Sequence, residues 1–175
     1  MQGLAGRTLP IDARPHHMSP PLPMHPQLEI RHDPCAQDLD VIHAFLSEQS
    51  TWAKGIPREL VEESVRNSLN VGLFVDGRQA GYARVISDYA TFAYVLDVFV
   101  LAAHRGNGYS RRLMEAVLSH PRLQGLRRIV LVSSTARDLY GKFGFAPLQK
   151  PETYMEINRP DLYSRGDIAG PSPEK

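Results

Sequence analysis

The chain has 175 residues, of which 42% are hydrophobic, and a formal net charge of +1. This length fits one domain with a substantial core, and the near-neutral charge gives no basic field for nucleic acid. No apolar run approaches the roughly 20 residues of a membrane span, and the single cysteine, Cys35, excludes an intramolecular disulfide. We therefore expect a cytoplasmic protein that binds neither nucleic acid nor a membrane.

The two ends of the chain differ in composition from its middle. Half of the 14 prolines fall in residues 1–34, and the start of this stretch has too little apolar periodicity to fold alone. We predict a disordered leader over residues 1–26, one folded domain over 27–160 and a flexible tail over 161–175. No metal site is predicted, because the leader histidines have no Cys or carboxylate cluster beside them. These histidines are His16, His17 and His25.

The first predicted elements are a short strand over residues 28–30 and two helices. Asp33 followed by Pro34 predicts the N-cap and first turn of a helix. A second helix is predicted from about Arg58, after a proline. The apolar stripe of the first helix is Leu39, Ile42, His43 and Leu46.

Three antiparallel strands are predicted next. Apolar residues alternate over 71–75, and Asp76-Gly77 then predicts a hairpin turn. Residues 79–87 would form the returning strand, and after a turn residues 92–101 would form the long central strand.

The second half of the chain alternates helix and strand. A helix is predicted to end before Pro121, and an apolar strand to cover 128–133. Residues 135–138 match a capping box that opens another helix, which would end at Gly144. Residues 154–157 are predicted as a last strand. The resulting order is β-α-α-β-β-β-α-β-α-β.

The turn between the central strand and the third helix has the composition of an anion site. Arg105-Gly-Asn-Gly-Tyr-Ser110 opens a helix, where free backbone N–H groups and the helix dipole favour a phosphate. No Lys follows Gly108, which excludes a Walker-type loop. Arg111 stands where a dinucleotide fingerprint needs its third glycine.

This loop is similar to the pyrophosphate loop of the GNAT N-acetyltransferase superfamily, Q/R-x-x-G-x-G/A. Arg105, Gly108 and Ser110 occupy its three defined positions, with Ser110 as a small departure. The LYGKFGF segment over 139–145 carries the second part of the resemblance, which covers about residues 28–157. It implies an α/β (α+β) fold in which helices flank a mixed, mostly antiparallel central sheet with splayed central strands.

The resemblance also implies an N-acetyltransferase that moves the acetyl group of acetyl-CoA to an amine by direct attack in a ternary complex, without a metal. The main chain of Val98, Phe99 and Val100 would hold pantetheine, and Tyr140 would donate a proton to the departing thiolate. Many relatives have Asn or Asp near the start of the last helix, whereas this chain has Ser133-Ser134-Thr135. We therefore predict no cofactor contact from that segment. The pyrophosphate would lie on Arg105, Gly106, Asn107, Gly108, Tyr109 and Ser110.

Asp97 interrupts an otherwise apolar face of the central strand, so its carboxylate must be paired or face a wet cleft. Two interpretations stay open. Asp97 is a general base that acts through water on the incoming ammonium, or a structural partner of Arg84 or Tyr82 on the preceding strand. Candidates for the acceptor side are Trp52, Asp88 and Tyr89.

Two alternative functions use the same fold. One is transfer of a longer acyl group, and the other is a module that binds and senses acyl-CoA without catalysis. The expected acceptor is a small-molecule amine or a protein amine, and a homodimer is compatible with the sequence. Cys35 lies in no motif that marks a nucleophile, so we predict a structural or incidental thiol.

Overall fold

A computed structural model describes residues 26–164. The predicted leader, with its three histidines, lies outside these residues except for Pro26, and so does most of the predicted tail. The described part of the tail is a short 3₁₀ turn, Leu162–Ser164, in which Tyr163 packs against the core. No helix over residues 26–164 is both long enough and apolar enough to cross a membrane.

The centre of the fold is a five-stranded sheet with its strands in chain order. β1 to β4 pair antiparallel, and β5 pairs parallel to β4. The predicted mixed, mostly antiparallel sheet is therefore confirmed. The strands are β1 (Leu28–Arg31), β2 (Leu69–Val75), β3 (Arg78–Ser87), β4 (Phe92–Val100) and β5 (Arg128–Leu131).

Within residues 26–164, four α-helices flank the sheet, and a π-helical turn over Phe45–Gln49 extends the first of them. The first two pack with Tyr82 and Phe99 in one buried cluster. The third packs in a second cluster with Val85 and Val95. Tyr82 and Val85 are an odd number of positions apart on β3, so they point to opposite faces, and the two clusters lie on the two faces of the sheet. The helices are α1 (Leu39–Ala44), α2 (Arg58–Arg66), α3 (Tyr109–Ser119) and α4 (Arg137–Gly141).

The predicted N-cap at Asp33 is wrong for α1. Asp33 caps a separate 3₁₀ turn, Pro34–Ala36, while Asp38 caps α1 by accepting the N–H groups of residues 40 and 41. The cause is Gln37, which is extended and donates its side-chain amide to the carbonyls of Arg31 and Asp33. These bonds hold the chain between two turns.

The predicted capping box is also wrong. α4 begins at Arg137, and the Ser133 hydroxyl, not Thr135, accepts the N–H of Ala136 at 3.1 Å. α4 ends at Gly141, before the predicted end at Gly144. Gly144 does have the predicted left-handed conformation, with φ +85°, and the next N–H, of Phe145, bonds to the Tyr140 carbonyl at 3.2 Å. This is the hydrogen bond of a Schellman motif.

β4 departs from regular pairing on both sides, and both departures shape the site. On the β3 side, Tyr82 pairs with Phe99 and Arg84 with Leu96, so two β4 residues oppose one β3 residue. This is a β-bulge. On the β5 side, pairing ends at Val95 opposite Leu131. Beyond that point β4 continues without β5, which confirms the splayed central strands.

The predicted last strand is wrong. Residues 154–157 have no strand assignment and pair with no strand among the described residues. Two of the apolar side chains in this segment, Met155 and Ile157, are exposed to solvent. A strand needs a neighbour for its backbone groups, and this segment has none among residues 26–164.

Candidate active site

The turn between β4 and α3 leaves its backbone donors free. Gly106 and Gly108 have φ of +81° and +74°, and Gly108 is the N-cap of α3. Over residues 26–164, the backbone N–H groups of 106–111 have no hydrogen-bond acceptor. A Cβ added to Gly106 or Gly108 would meet nothing within 4 Å. Free N–H groups that face open space at the start of an 11-residue helix suit a phosphate.

Two side chains fix this turn in place. Arg105 donates from Nε to the Val100 carbonyl at 3.0 Å, which ties the turn to the end of β4. Asn107 donates from Nδ2 to the carbonyls of His104 and Arg105 at 3.1 and 3.2 Å. Because these bonds hold the backbone, the free N–H groups are pre-organised for an anion.

The splay of the sheet exposes one edge of β4 beside this turn. Phe99 and Val100 bond to β3 on one side and have no β5 partner on the other. The Phe99 ring stacks on Phe45 with centroids 3.8 Å apart, so the strand is held by packing while its edge stays open. An amide-containing ligand could pair with this edge as a neighbouring strand would.

Tyr140 lies on α4, with its ring edge against Phe145 at a centroid distance of 6.0 Å. The side chain is largely buried, and this burial raises the pKa of its hydroxyl above the usual value. The hydroxyl is therefore protonated at neutral pH, and it can donate a proton but not accept one as a phenolate.

Asp97 sits in the β-bulge with φ +52° and is only 8% exposed. One carboxylate oxygen accepts from Arg84 Nε at 2.7 Å, and the other accepts from Trp52 Nε1 at 2.9 Å. Arg84 also donates to the Ser68 hydroxyl at 3.2 Å. The structure therefore contains the ion pair with Arg84 that one interpretation of the sequence proposed.

The predicted alternative bond from Tyr82 to Asp97 is wrong. The Tyr82 hydroxyl donates instead to Asn70 Oδ1, and Asn70 donates to the carbonyls of Val65 and Ser68 at 2.9 and 3.1 Å. Tyr82 is fully buried, and desolvation raises the pKa of its hydroxyl. Tyr82 is thus a core residue that links β3 to the end of α2.

Comparison with known proteins agrees with this geometry. The model of the Acetyltransferase (GNAT) family matches residues 35–145, more than half of the chain. The chain belongs to the GNAT acetyltransferase family. A Gibberella zeae protein whose name marks it as a provisional acetyltransferase is 30% identical over 132 residues, covering 63% of this chain and 73% of that protein.

Solved GNAT structures share the fold. A GNAT-family protein from Xanthomonas campestris pv. campestris is 52% identical, with a TM-score of 0.77, and the match covers 79% of this chain and 98% of that chain. A Clostridium acetobutylicum protein crystallised with acetyl-CoA is 15% identical, with a TM-score of 0.54, and the match covers 75% of this chain and 96% of that chain. The second likeness shows the fold alone.

All three acceptor-side candidates of this GNAT protein make contacts within its own structure, and that of Trp52 is its hydrogen bond to Asp97. Asp88 accepts the Thr91 hydroxyl and the N–H groups of residues 90, 91 and 92. The hydroxyl first, and then these N–H groups, hold the pKa of its carboxyl well below its usual range. The Tyr89 ring lies 3.4 Å from the Arg122 guanidinium. Both residues shape the turn between β3 and β4, whereas the Trp52 ring is 55% exposed.

Sequence reasoning missed the groove beside Arg84. It has a volume of about 360 Å³ and lies between α2 and the end of β3. Helical spacing placed its α2 residues on the solvent side of a helix, and no motif links them to Arg84. The groove is lined by Leu60, Glu63, Ser64, Asn67, Ser68, Arg84 and Ile86. No cluster of three or more metal-ligating side chains occurs in the described part of the chain.

Proposed function

We propose that this GNAT protein transfers the acetyl group of acetyl-CoA to the amine of an acceptor by direct attack in a ternary complex. The observation that carries the proposal is the set of unbonded N–H groups at the start of α3, directly beside the open edge of β4. One element suits a pyrophosphate and the other suits the amides of a pantetheine arm. Together they form one continuous site for CoA.

The residues that would hold CoA are those of the turn and the strand edge. The turn from Arg105 to Ser110 would bind the pyrophosphate through the free N–H groups of residues 106–110, and the main chain of Val98, Phe99 and Val100 would bind the pantetheine amides. Acetyl-CoA supplies an activated acetyl thioester. An N–H group on the open edge of β4 would donate a hydrogen bond to the carbonyl oxygen, where negative charge develops.

Tyr140 is proposed as the proton donor to the departing sulfur. Its raised pKa keeps the proton on the hydroxyl at neutral pH. A thiol has a pKa of about 8.5, so a thiolate released at neutral pH takes up a proton readily. A buried hydroxyl beside the sulfur can supply that proton directly, so no water molecule has to enter the site to deliver it.

Asp97 is proposed to position the acceptor side of the site. Each of its oxygens already accepts one hydrogen bond from the protein, which favours holding Trp52 and Arg84 over taking a proton from the acceptor. The alternative role, general base through a bound water, would use the remaining lone pairs. A variant described in the Discussion separates these roles.

Direct attack is favoured over an acetylated cysteine because Cys35 follows β1, at the opposite edge of the sheet from β5. Three strands separate β1 from β5, so this thiol is remote from the open edge of β4. The acceptor is expected to approach along Trp52 and the groove beside Arg84.

The test is a screen of primary amines that measures release of free thiol from acetyl-CoA. Polyamines, aminoglycosides, amino acids and peptides with a free amine represent the acceptor classes, and acyl-CoAs of increasing chain length test the acyl group. We expect amine-dependent thiol release, fastest with acetyl-CoA. CoA binding without thiol release from any amine would instead support an acyl-CoA sensor. Absence of CoA binding would refute the proposal.

A further inference from the structure

The groove between α2 and the end of β3 contains a guanidinium with one uncommitted nitrogen. Arg84 donates from Nε to the Asp97 carboxylate at 2.7 Å and from Nη1 to the Ser68 hydroxyl at 3.2 Å. Its Nη2 has no hydrogen-bond acceptor within residues 26–164. No buried side-chain nitrogen in that range lacks a partner, so Nη2 is open to solvent. Because Arg84 lines the groove, two N–H donors are available to a ligand there.

The guanidinium of Arg84 is suited to a carboxylate. Two bonds already hold it, so little side-chain entropy is lost when a further oxygen binds. The Ser68 hydroxyl accepts from Arg84 and donates to no acceptor among the described residues, so its proton is available to the same ligand. Glu63 also lines the groove, but its ion pair with Arg66 balances its charge, as that with Arg84 balances Asp97. The hydrogen bonds from Nη2 and Ser68 therefore favour a carboxylate at this point.

The wall of the groove beside Arg84 is apolar. Leu60 of α2 and Ile86 of β3 line it, and Ile86 is 46% exposed. Arg84 and Ile86 are two positions apart on β3, so both side chains point to the same face of the sheet. The volume of about 360 Å³ lies within the range of about 300–1,000 Å³ that small-molecule pockets have. The groove thus favours a ligand with an apolar group beside its carboxylate.

Arg84 also lies between this apolar wall and the open edge of β4. On the same face of β3, Ile86 follows Arg84 by two positions and Tyr82 precedes it by two, and Tyr82 pairs with Phe99. Two strand residues span about 7 Å. A ligand that places a carboxylate on Arg84 and an apolar group against Ile86 therefore directs a third group towards Phe99. An α-amino acid carries a carboxylate, a side chain and an amine on one carbon.

We propose that the acceptor is an amino acid with an apolar side chain. Arg84 and Ser68 hold its carboxylate, and Leu60 and Ile86 contact its side chain. This inference rests on the proposed function, since it names the acceptor of that reaction. The neutral amine bonds to the acetyl carbon as the carbon–sulfur bond breaks. The nitrogen loses one proton and the sulfur gains one, which gives an N-acetyl amino acid and CoA.

The first test compares three ligands by the fluorescence of Trp52 and by calorimetry, with CoA at saturation. Trp52 is the only tryptophan of the chain, and its indole N–H bonds to the carboxylate that Arg84 also binds, so its emission reports on this groove. Phenethylamine is phenylalanine without the carboxylate, and alanine is phenylalanine without the ring. We expect phenylalanine to bind at least about 10-fold more tightly than either. Equal affinity for either, or no binding of phenylalanine, overturns the proposal.

The second test changes the apolar wall. Ile86→Asp should weaken phenylalanine binding at least about 10-fold, because it places a charge against the apolar ring. Ile157→Asp, at another exposed isoleucine that does not line the groove, is the matched control and should bind phenylalanine like the native chain. Circular dichroism checks that both variants are folded. Native affinity in Ile86→Asp contradicts the proposal.

The third test removes the free nitrogen of Arg84. Arg84→Lys keeps a positive charge beside Asp97 but lacks Nη2, so it should bind phenylalanine and phenethylamine alike. A retained preference for phenylalanine contradicts the proposal. If Arg84→Lys does not fold, the ligand comparison on the native chain and Ile86→Asp still decide the question.

Failure of the proposed reaction gives a different pattern from failure of this inference. Without a CoA-induced rise in melting temperature, or without thiol release from any amine, the proposed function is wrong whichever ligand the groove prefers. A CoA-induced rise together with equal binding of phenylalanine and phenethylamine overturns this inference alone. Support from both requires thiol release in which phenylalanine has a KM at least about 10-fold below that of phenethylamine.

Discussion

At the scale of single residues, Asp97 shows how a local backbone irregularity creates a site. Its φ of +52° is a conformation that costs most L residues about 1–2 kcal/mol and that Asp and Asn tolerate better. The bulge turns the carboxylate towards Trp52 and Arg84. The strained conformation of Asp97 therefore lets its buried carboxylate bond to both the Trp52 loop and β3 while Asp97 itself lies on β4.

Replacing Asp97 with Asn separates its two proposed roles, because Asn also tolerates positive φ and keeps the shape of the side chain. We expect a loss of about 3 kcal/mol in the free energy of unfolding, since Arg84 would keep a buried charge without its partner. Urea denaturation measures this loss. Asp76→Asn, at another aspartate of positive φ, is the matched control. A variant of native stability whose turnover falls about 10²–10⁴-fold would instead identify a general base.

Tyr140→Phe tests the proton donor. The ring and its packing against Phe145 survive, so the fold and the CoA affinity should not change. We expect kcat to fall about 100-fold with an unchanged KM for acetyl-CoA, because the lost bond forms only in the transition state. Steady-state kinetics with an acceptor from the amine screen measure both constants.

Tyr94→Phe, on β4, is the matched control for this change and should retain native turnover. If kcat of Tyr140→Phe equals that of the native enzyme, Tyr140 has a packing role only. If KM alone rises, Tyr140 contributes to cofactor binding and the proton comes from elsewhere.

At the scale of elements, the N-terminus of α3 is the proposed site of cofactor binding. CoA at about 100 times its dissociation constant should stabilise the native chain by roughly 2.7 kcal/mol, and a thermal melt records this shift. Gly108→Asp should abolish it, because the change places a carboxylate where the phosphate approaches the backbone.

Gly125→Asp is a close control for this effect. Gly125 has φ +76° and open space around it, like Gly108, so the same substitution imposes similar backbone strain away from the turn. Both variants should lose stability without ligand, but only Gly125→Asp should keep the CoA shift. A CoA shift that persists in Gly108→Asp would contradict the assignment of the loop.

The elements also show where local signals succeed. The Asp76-Gly77 hairpin and the left-handed conformation of Gly144 were predicted correctly, because each depends on backbone conformations that the residues themselves favour. The capping box at Thr135 failed, because Ser133 lies close enough to make the capping bond first. The N-cap at Asp33 failed because Gln37, several residues away, bonds to the carbonyls around the turn.

At the scale of the whole molecule, His120 couples stability to pH. It lies at the end of α3, 5.0 Å from the His32 ring. Burial, then the charges of His32 and Arg122, lower its pKa below 6.5. His120 therefore binds a proton less readily in the folded state than in the unfolded state. The free energy of unfolding consequently rises with pH between the lowered pKa of His120 and about 6.5.

As the pH falls below about 6.5, the unfolded chain takes up a proton at His120 that the folded chain resists, and the free energy of unfolding decreases. Urea denaturation at pH 7.5 and 5.5 measures this decrease. His120→Gln should make it smaller, whereas His104→Gln, the control, should not. An equal decrease in native chain and His120→Gln would rule out this residue as its source.

The sequence by itself determined the strand order up to β5, the glycine turn that opens α3 and the position of Tyr140 on a late helix. These follow from residues close together in the chain, whose backbone preferences and apolar spacing act locally. Only the tertiary structure decided the partners of Asp97, since the β3–β4 bulge and the Trp52 loop bring together residues 45 positions apart. It also decided that residues 154–157 pair with no strand in the described part of the chain, because a strand exists only where another backbone satisfies its hydrogen bonds.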